Sequence, residues 1–290
     1  MNTLKLLTVL TLALGSLTVG GAEAQPTVDE LLMRVGERVA EFYKRAMSVI
    51  CIETSVVQPI DSSHSLQGFA RTVESELRVE LDRGEIGEAT VVRKIRKVNG
   101  RPPNERDQKD RSGCTDPNPL SSEPLVFLVP PRRSEYYFKI AGMTKERNRT
   151  ALLIEFLSVN RRSNPELIED PGGHEDCFDW SGHIASKGRI WVDADNYDVL
   201  RVERGLGGPV DVKVPALIQR RYGMDPWAVI VREDTAIRYK AVAFSDPDEV
   251  LLLPESIHSL IMVRGGLQST RRWQTFSDYR RFVTEGKVVQ

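Results

Sequence analysis

From Arg71 onward apolar residues return at every second position, and that period limits what the chain can become. The run Arg71-Thr-Val-Glu-Ser-Glu-Leu-Arg-Val-Glu-Leu81 puts Val73, Leu77, Val79 and Leu81 on one face and Glu74, Glu76, Arg78 and Glu80 on the other. A period of two belongs to a strand, and one greasy plus one charged face belongs to a sheet with a wet side. The stretch 90–98 repeats the pattern and closes on Asn99-Gly100, a strong hairpin signal. Further strands are expected over 134–141, 150–158, 189–192, 199–203, 235–244, 250–253, 257–263 and 267–276. Turns are expected at 194–197 and at Arg264-Gly265-Gly266. Connections of turn length with few helices between them predict an antiparallel meander, not a parallel α/β sheet. So many strands in one sheet must curl or close.

One segment before the strands keeps a different period. Over 27–47, Val28, Leu31, Leu32, Val35, Val39, Phe42, Tyr43 and Ala46 recur at three- and four-residue steps, which predicts an amphipathic helix. Thr27-Val-Asp-Glu30 reads as a capping box at its start. Glu37, Arg38, Glu41, Lys44 and Arg45 form the opposite face, so the stripe is expected to lie on the sheet. Two segments fit a sheet poorly. The stretch 100–124 is polar and proline-rich, and 159–187 reads as loop; a short helix is expected around 122–128.

The first residues carry an address. A lysine at position 5 precedes an almost wholly apolar run over 6–19, followed by Gly20-Gly21 and the small-x-small triplet Ala22-Glu23-Ala24. That order predicts a secretory signal peptide over 1–24, cleaved after Ala24. The run is shorter than the roughly 20 apolar residues of a membrane span, and no later stretch is apolar enough to cross a bilayer. The expected mature chain, 25–290, is a single domain with loop insertions near 100–124 and 159–187, working in the periplasm or outside the cell.

Export gives the three cysteines meaning, because it places them in an oxidising space. Cys51 lies in the strand-like run Ser48-Val-Ile-Cys-Ile-Glu-Thr-Ser-Val-Val57, where a free thiol behaves as a small buried hydrophobe. Cys114 and Cys177 both lie in polar, turn-rich segments, and a Cys114–Cys177 disulfide is expected. It would close a loop of roughly 60 residues, worth on the order of 4 kcal/mol in the chain-entropy view. Lys plus Arg (40) nearly balance Asp plus Glu (41), so no global field points to nucleic acid.

Motifs for chemistry are scarce. His174-Glu-Asp-Cys-Phe-Asp-Trp-Ser-Gly-His183 gathers metal-ligand types, yet none of the tight metal spacings occurs in it. No Gly-x-Ser-x-Gly elbow is present, and His64, His174, His183 and His258 have no evident nucleophile beside them. Gly205-Leu-Gly-Gly208 lacks the lysine of a phosphate loop. Arg271-Arg272 and Arg280-Arg281 read as strand-edge charges that discourage aggregation. No catalytic residue, metal or cofactor is expected.

The hairpin Gly188-Arg-Ile-Trp-Val-Asp193 with Val199-Leu-Arg-Val-Glu203, and the late strand Gln274-Thr-Phe-Ser-Asp-Tyr-Arg-Arg-Phe282, give the chain a familiar look. Together with the export signal, the first helix and the meander, they resemble the outer-membrane lipoprotein carrier (LolA-like) superfamily. The resemblance implies a mainly β (α+β) fold, a curled antiparallel half-barrel sheet with the N-terminal helix packed on its concave side. It also implies a non-enzymatic binding or carrier protein that holds an acyl chain, a lipid or another apolar ligand between helix and sheet. Alternation offers Val73, Leu77, Val79, Ile190 and Val192 as its lining. Two alternatives stand beside this one: an envelope sensor that contacts another envelope protein, and a secreted hydrolase with a dispersed site.

Overall fold

The computed structural model describes residues 26–45, 49–81, 89–105, 107, 124–169, 178–245 and 248–281. The segment read as a signal peptide, His174, Cys114 and Cys177 lie outside them, and the expected disulfide with them.

Helix α1 covers Val28–Arg45. Its capping box forms as expected: Thr27 N donates to Glu30 Oε2 at 2.9 Å, and Glu30 N donates to Thr27 Oγ1 at 3.3 Å. These bonds satisfy two amides that the first turn leaves open. Along the stripe Leu31, Leu32, Val35, Val39 and Tyr43 are buried. Each of the aliphatic ones contributes about 1.5–3 kcal/mol by leaving water.

Among the described residues thirteen strands follow: β1 Val49–Ile60, β2 Arg71–Leu81, β3 Ala89–Val98, β4 Tyr136–Glu146, β5 Arg149–Ser158, β6 Glu166–Glu169, β7 Phe178–Ser181, β8 Ser186–Asp193, β9 Val199–Leu206, β10 Val210–Lys213, β11 Trp227–Ser245, β12 Asp248–Arg264 and β13 Ser269–Arg281. The main path runs β3-β2-β1-β13-β12-β11-β9-β8-β5-β4, and all its pairings are antiparallel. Its two end strands, β3 and β4, do not pair, so the sheet stays open. It is nevertheless strongly curled. One buried cluster joins α1 to Leu77 on β2, Cys51 on β1, Phe276 on β13, Ile257 on β12, Ile237 on β11, Val202 on β9, Ile190 on β8 and Ile154 on β5. A flat sheet of that width could not bring all these side chains to one helix. The result is a half-barrel with α1 in its hollow.

Three details differ from the sequence reading. β12 runs unbroken through Pro254, where a break is expected, because the register shifts by one residue beside Tyr239. A bulge tolerates the missing amide proton of a proline, and Tyr279 Oη donates to the Pro254 carbonyl at 2.6 Å. The stretch 159–187, expected as loop, carries β6 and β7. They join the sheet through β10 and, with a short helix α2 (Ala216–Tyr222), enclose a second core of Leu167, Val210, Val212, Val214, Ile218, Ala228 and Ile230. Within the described part of the expected helix near 122–128 lies a single 3-10 turn, Val126–Leu128, whose Phe127 and Leu128 pack into the main core.

Candidate functional site

Under the C-terminal half of α1 the packing is incomplete. A cavity of about 270 Å³ remains between the helix, the turn after β8 and the strands β11 and β12. Val39, Phe42, Leu125, Val199, Tyr239, Ala241, Leu251 and Leu252 line it, and Arg38, Glu41, Arg45, Arg149 and Asp198 stand around it. A cavity of about 150 Å³ already accommodates benzene, so this space suits a longer apolar group.

Polar ties hold the roof over that space. Arg38 Nε and Nη2 donate to Asp198 Oδ1 at 3.0 and 2.9 Å, and Arg45 Nε donates to Glu249 Oε2 at 2.9 Å. One turn earlier, Arg34 Nη1 donates to Tyr197 Oη at 2.6 Å and its guanidinium lies over the Tyr197 ring. Arg38 and Arg45 are therefore not the purely wet face that periodicity assigns to them; each pins α1 to the sheet.

The hairpin singled out in the sequence supplies the anchor. Asp193 is buried, and its Oδ1 accepts from the amides of Asp195 and Asn196 at 2.9 and 3.3 Å, which shapes the turn that presents Tyr197 and Asp198. Arg149 Nη1 holds the other carboxylate oxygen at 3.1 Å. Trp191 lies beneath the Arg201 guanidinium, and Gly188 leaves room for the Phe156 ring. Each of these motif residues serves the scaffold.

Of the five lining residues taken from alternation, Leu77, Ile190 and Val192 are packed into the core against α1. Val73 is buried on β2. Val79 pairs with Val49 and its side chain lies outside the described residues. The walls of the cavity come instead from Tyr239, Leu251 and Leu252. Alternation identifies which face is inward, but it does not tell where the helix leaves a gap.

A second, wider groove of about 1000 Å³ spans β4, β5, β8, β9, β11, β12 and β13. Two neighbouring cross-strand rows line it, Tyr137-Leu157-Lys187-Gly205-Asp234-Leu260-Arg271 and Lys139-Glu155-Arg189-Glu203-Ala236-His258-Trp273. Residues of the row between them, among them Arg204 and Arg272, contribute as well. Basic side chains outnumber acidic ones on the face these rows present: Lys139, Lys187, Arg189, Arg232 and Arg271 against Glu155, Glu203 and Asp234. Burial, aided by Arg238, pushes the His258 imidazole below its ordinary value.

The remaining reactive groups are engaged elsewhere. His64 Nε2 lies 2.7 Å from Met262 Sδ, and His183 Nε2 lies 2.9 Å from the Asn160 carbonyl. Burial pushes the Cys51 thiol up to about 12, and the Glu53 carboxylate adds to the shift, so it is a poor nucleophile at neutral pH. Glu53 itself is fully buried, held by Arg93 Nε at 2.9 Å and Gln274 Nε2 at 2.7 Å. Among the described residues no three His, Cys, Asp or Glu side chains come together as a metal site. No described helix is long and apolar enough to cross a membrane.

No family model and no curated protein matches the chain. Solved structures do. A LolA superfamily protein from Nitrosomonas europaea is similar at 10% identity and TM-score 0.31, over 88% of this chain and 97% of that one. A DUF1329 family protein from Desulfovibrio piger is similar at 8% identity and TM-score 0.40, over 89% and 95%. The MucA/MucB complex of Pseudomonas aeruginosa is similar at 8% identity and TM-score 0.24, over 88% and 99%. At such scores the likeness says nothing of ligand or partner.

Proposed function

We propose that this chain is an exported, non-enzymatic binding or carrier protein of the periplasm or extracellular space, and that it holds an acyl chain or another apolar group beneath α1. The observation that carries this reading is the 270 Å³ cavity between helix and sheet, apolar inside and ringed by charge. Binding there rests on burying methylenes, at about 0.8 kcal/mol each. Val73, Leu77, Ile190 and Val192 belong to the deeper interior, which a longer chain reaches only when α1 lifts, and Val79 stays a proposed neighbour on the same strand. A Cys114–Cys177 bridge, in segments beyond the described residues, would join the two polar insertions; a loss of two hydrogens confined to their linked peptides is its test.

A second reading keeps the fold and changes its use, to an envelope sensor whose wide basic groove takes an acidic segment of another envelope protein. The excess of Lys and Arg among the groove residues favours it. One experiment separates the two. Native mass spectrometry of the protein recovered from the cells that make it returns, on the first reading, a chain carrying an acyl compound that unfolding releases. A bare chain held by a protein partner would overturn the carrier reading in favour of the second.

A further inference from the structure

The wide groove and the cavity under α1 lie on opposite faces of the sheet. Arg189, Glu203 and Ala236 alternate with Ile190, Val202 and Ile237 of the main core, so the groove rows point away from the helix. Every acid of those rows is already engaged: Glu155 pairs with Arg189 at 3.8 Å, Asp234 with Arg232 and Glu203 with Arg201. Lys139, Lys187 and Arg271 have no carboxylate partner among the described residues; Arg271 only lies over the Trp273 ring. The positive charges left over are placed unevenly. Lys139 on β4 and Lys187 on β8 stand toward one end, and Arg271 on β13 stands at the other. Lys187 and Arg271 belong to one cross-strand row, with β9, β11 and β12 between them. At a strand spacing of about 4.8 Å that row separates them by about 19 Å. Midway, Gly205 and Ala236 are the smallest residues of the two rows, so the floor is lowest there. A flat bilayer would rest on the ridges and leave that floor empty. An extended chain, at about 3.3 Å per residue, reaches from one charged end to the other in about six residues.

We propose that the groove takes an extended segment of another protein whose acidic residues stand about six positions apart, with small or apolar residues between them over Gly205 and Ala236. This deepens the sensor reading and rests on it. Because the groove faces away from α1, its occupant leaves the cavity beneath the helix free.

The test is fluorescence anisotropy of two dye-labelled peptides of one composition, titrated with the full chain at low salt. Asp-Asp-Ser-Ala-Leu-Ala-Ser-Asp sets its charges at the spacing of the two ends, and Ser-Ala-Asp-Asp-Asp-Leu-Ala-Ser gathers them at the centre. The parent is expected to bind the spaced peptide about fivefold more tightly, the worth of one exposed ion pair. Arg271→Gln is expected to erase that preference, and Lys94→Gln, at an exposed lysine on β3 outside the groove, is expected to keep it. Urea midpoints show whether the variants fold as the parent does. Should Arg271→Gln lower its midpoint, the double change Lys139→Gln with Lys187→Gln, at two exposed positions, empties the other end and serves the same comparison. Equal affinity of the parent for the two peptides overturns the inference and leaves the sensor reading on charge alone, and so does a preference that survives in a folded Arg271→Gln. If neither peptide binds the parent, the sensor reading falls and takes the inference with it. Sedimentation of the parent with phosphatidylglycerol vesicles, lost in Arg271→Gln and without any peptide binding, would hand the groove to an anionic membrane instead.

Discussion

A methyl group placed on Gly188 would stand 1.9 Å from the Glu203 carbonyl oxygen and 2.6 Å from the Phe156 ring. The backbone oxygen cannot step aside without spoiling the β8–β9 ladder. Gly188→Ala is therefore expected to lose about 3 kcal/mol, read as a lower urea midpoint; an unchanged midpoint would contradict the crowding. The sequence marks this glycine only as part of a recurring phrase, and its reason appears when β5 brings Phe156 across it. Glu233 is a case where pH decides. Burial is the main cause that raises its carboxyl above the ordinary value; Asp179 and Asp234 add to the rise, while Arg204 opposes it. Folding then favours the protonated form. The stability this gives is full below the ordinary glutamate pKa of about 4.3 and is lost as pH rises through the raised value. Glu233→Gln is expected to raise the urea midpoint at neutral pH and to change it little near pH 4. A gain confined to acid would contradict the sign.

Two kinds of contact hold α1, and their magnitudes differ. Arg38–Asp198 and Arg45–Glu249 are ion pairs whose arginines are 38% and 33% exposed. Pairs so open to solvent contribute about 1 kcal/mol or less. Leu31 is fully buried, and cutting it to alanine costs about 2–5 kcal/mol. Leu31→Ala is thus expected to lower the unfolding midpoint far more than Arg38→Ala does, and the opposite ranking would mean that the helix hangs on its charges. The helix itself was legible, from capping box to apolar stripe, because both signals are local. So were β2 and β3, whose alternation is clean. α2 was not, since seven residues give too little period to read and its support comes from Val212, Val214 and Ile230. β6 and β7 escaped for a similar reason: four residues each, paired only through β10.

For the molecule as a whole, strand count and turn spacing implied a sheet that must curl, and the shared core around α1 shows that it does. What alternation leaves out is how the hollow is filled. Leu77, Ile190 and Val192 fill it near the middle, while the gap opens toward Leu251 and Leu252, where α1 ends and Glu249 takes Arg45. No local pattern encodes that distribution, because it depends on side chains from α1, β9, β11 and β12 at once. The buried Glu53–Arg93–Gln274 group was equally hidden, being a charged residue at an inward position of β1. The central claim is that an apolar ligand lodges beneath α1, and titration of the methyl ester of a fluorescent polyene fatty acid tests it most directly. The parent and the groove variant Tyr137→Ala are expected to saturate with one probe per chain, and Leu252→Trp, which narrows the cavity, is expected to bind the probe more weakly than the parent. Equal binding by Leu252→Trp and the parent, or no saturable binding by the parent, would contradict the account.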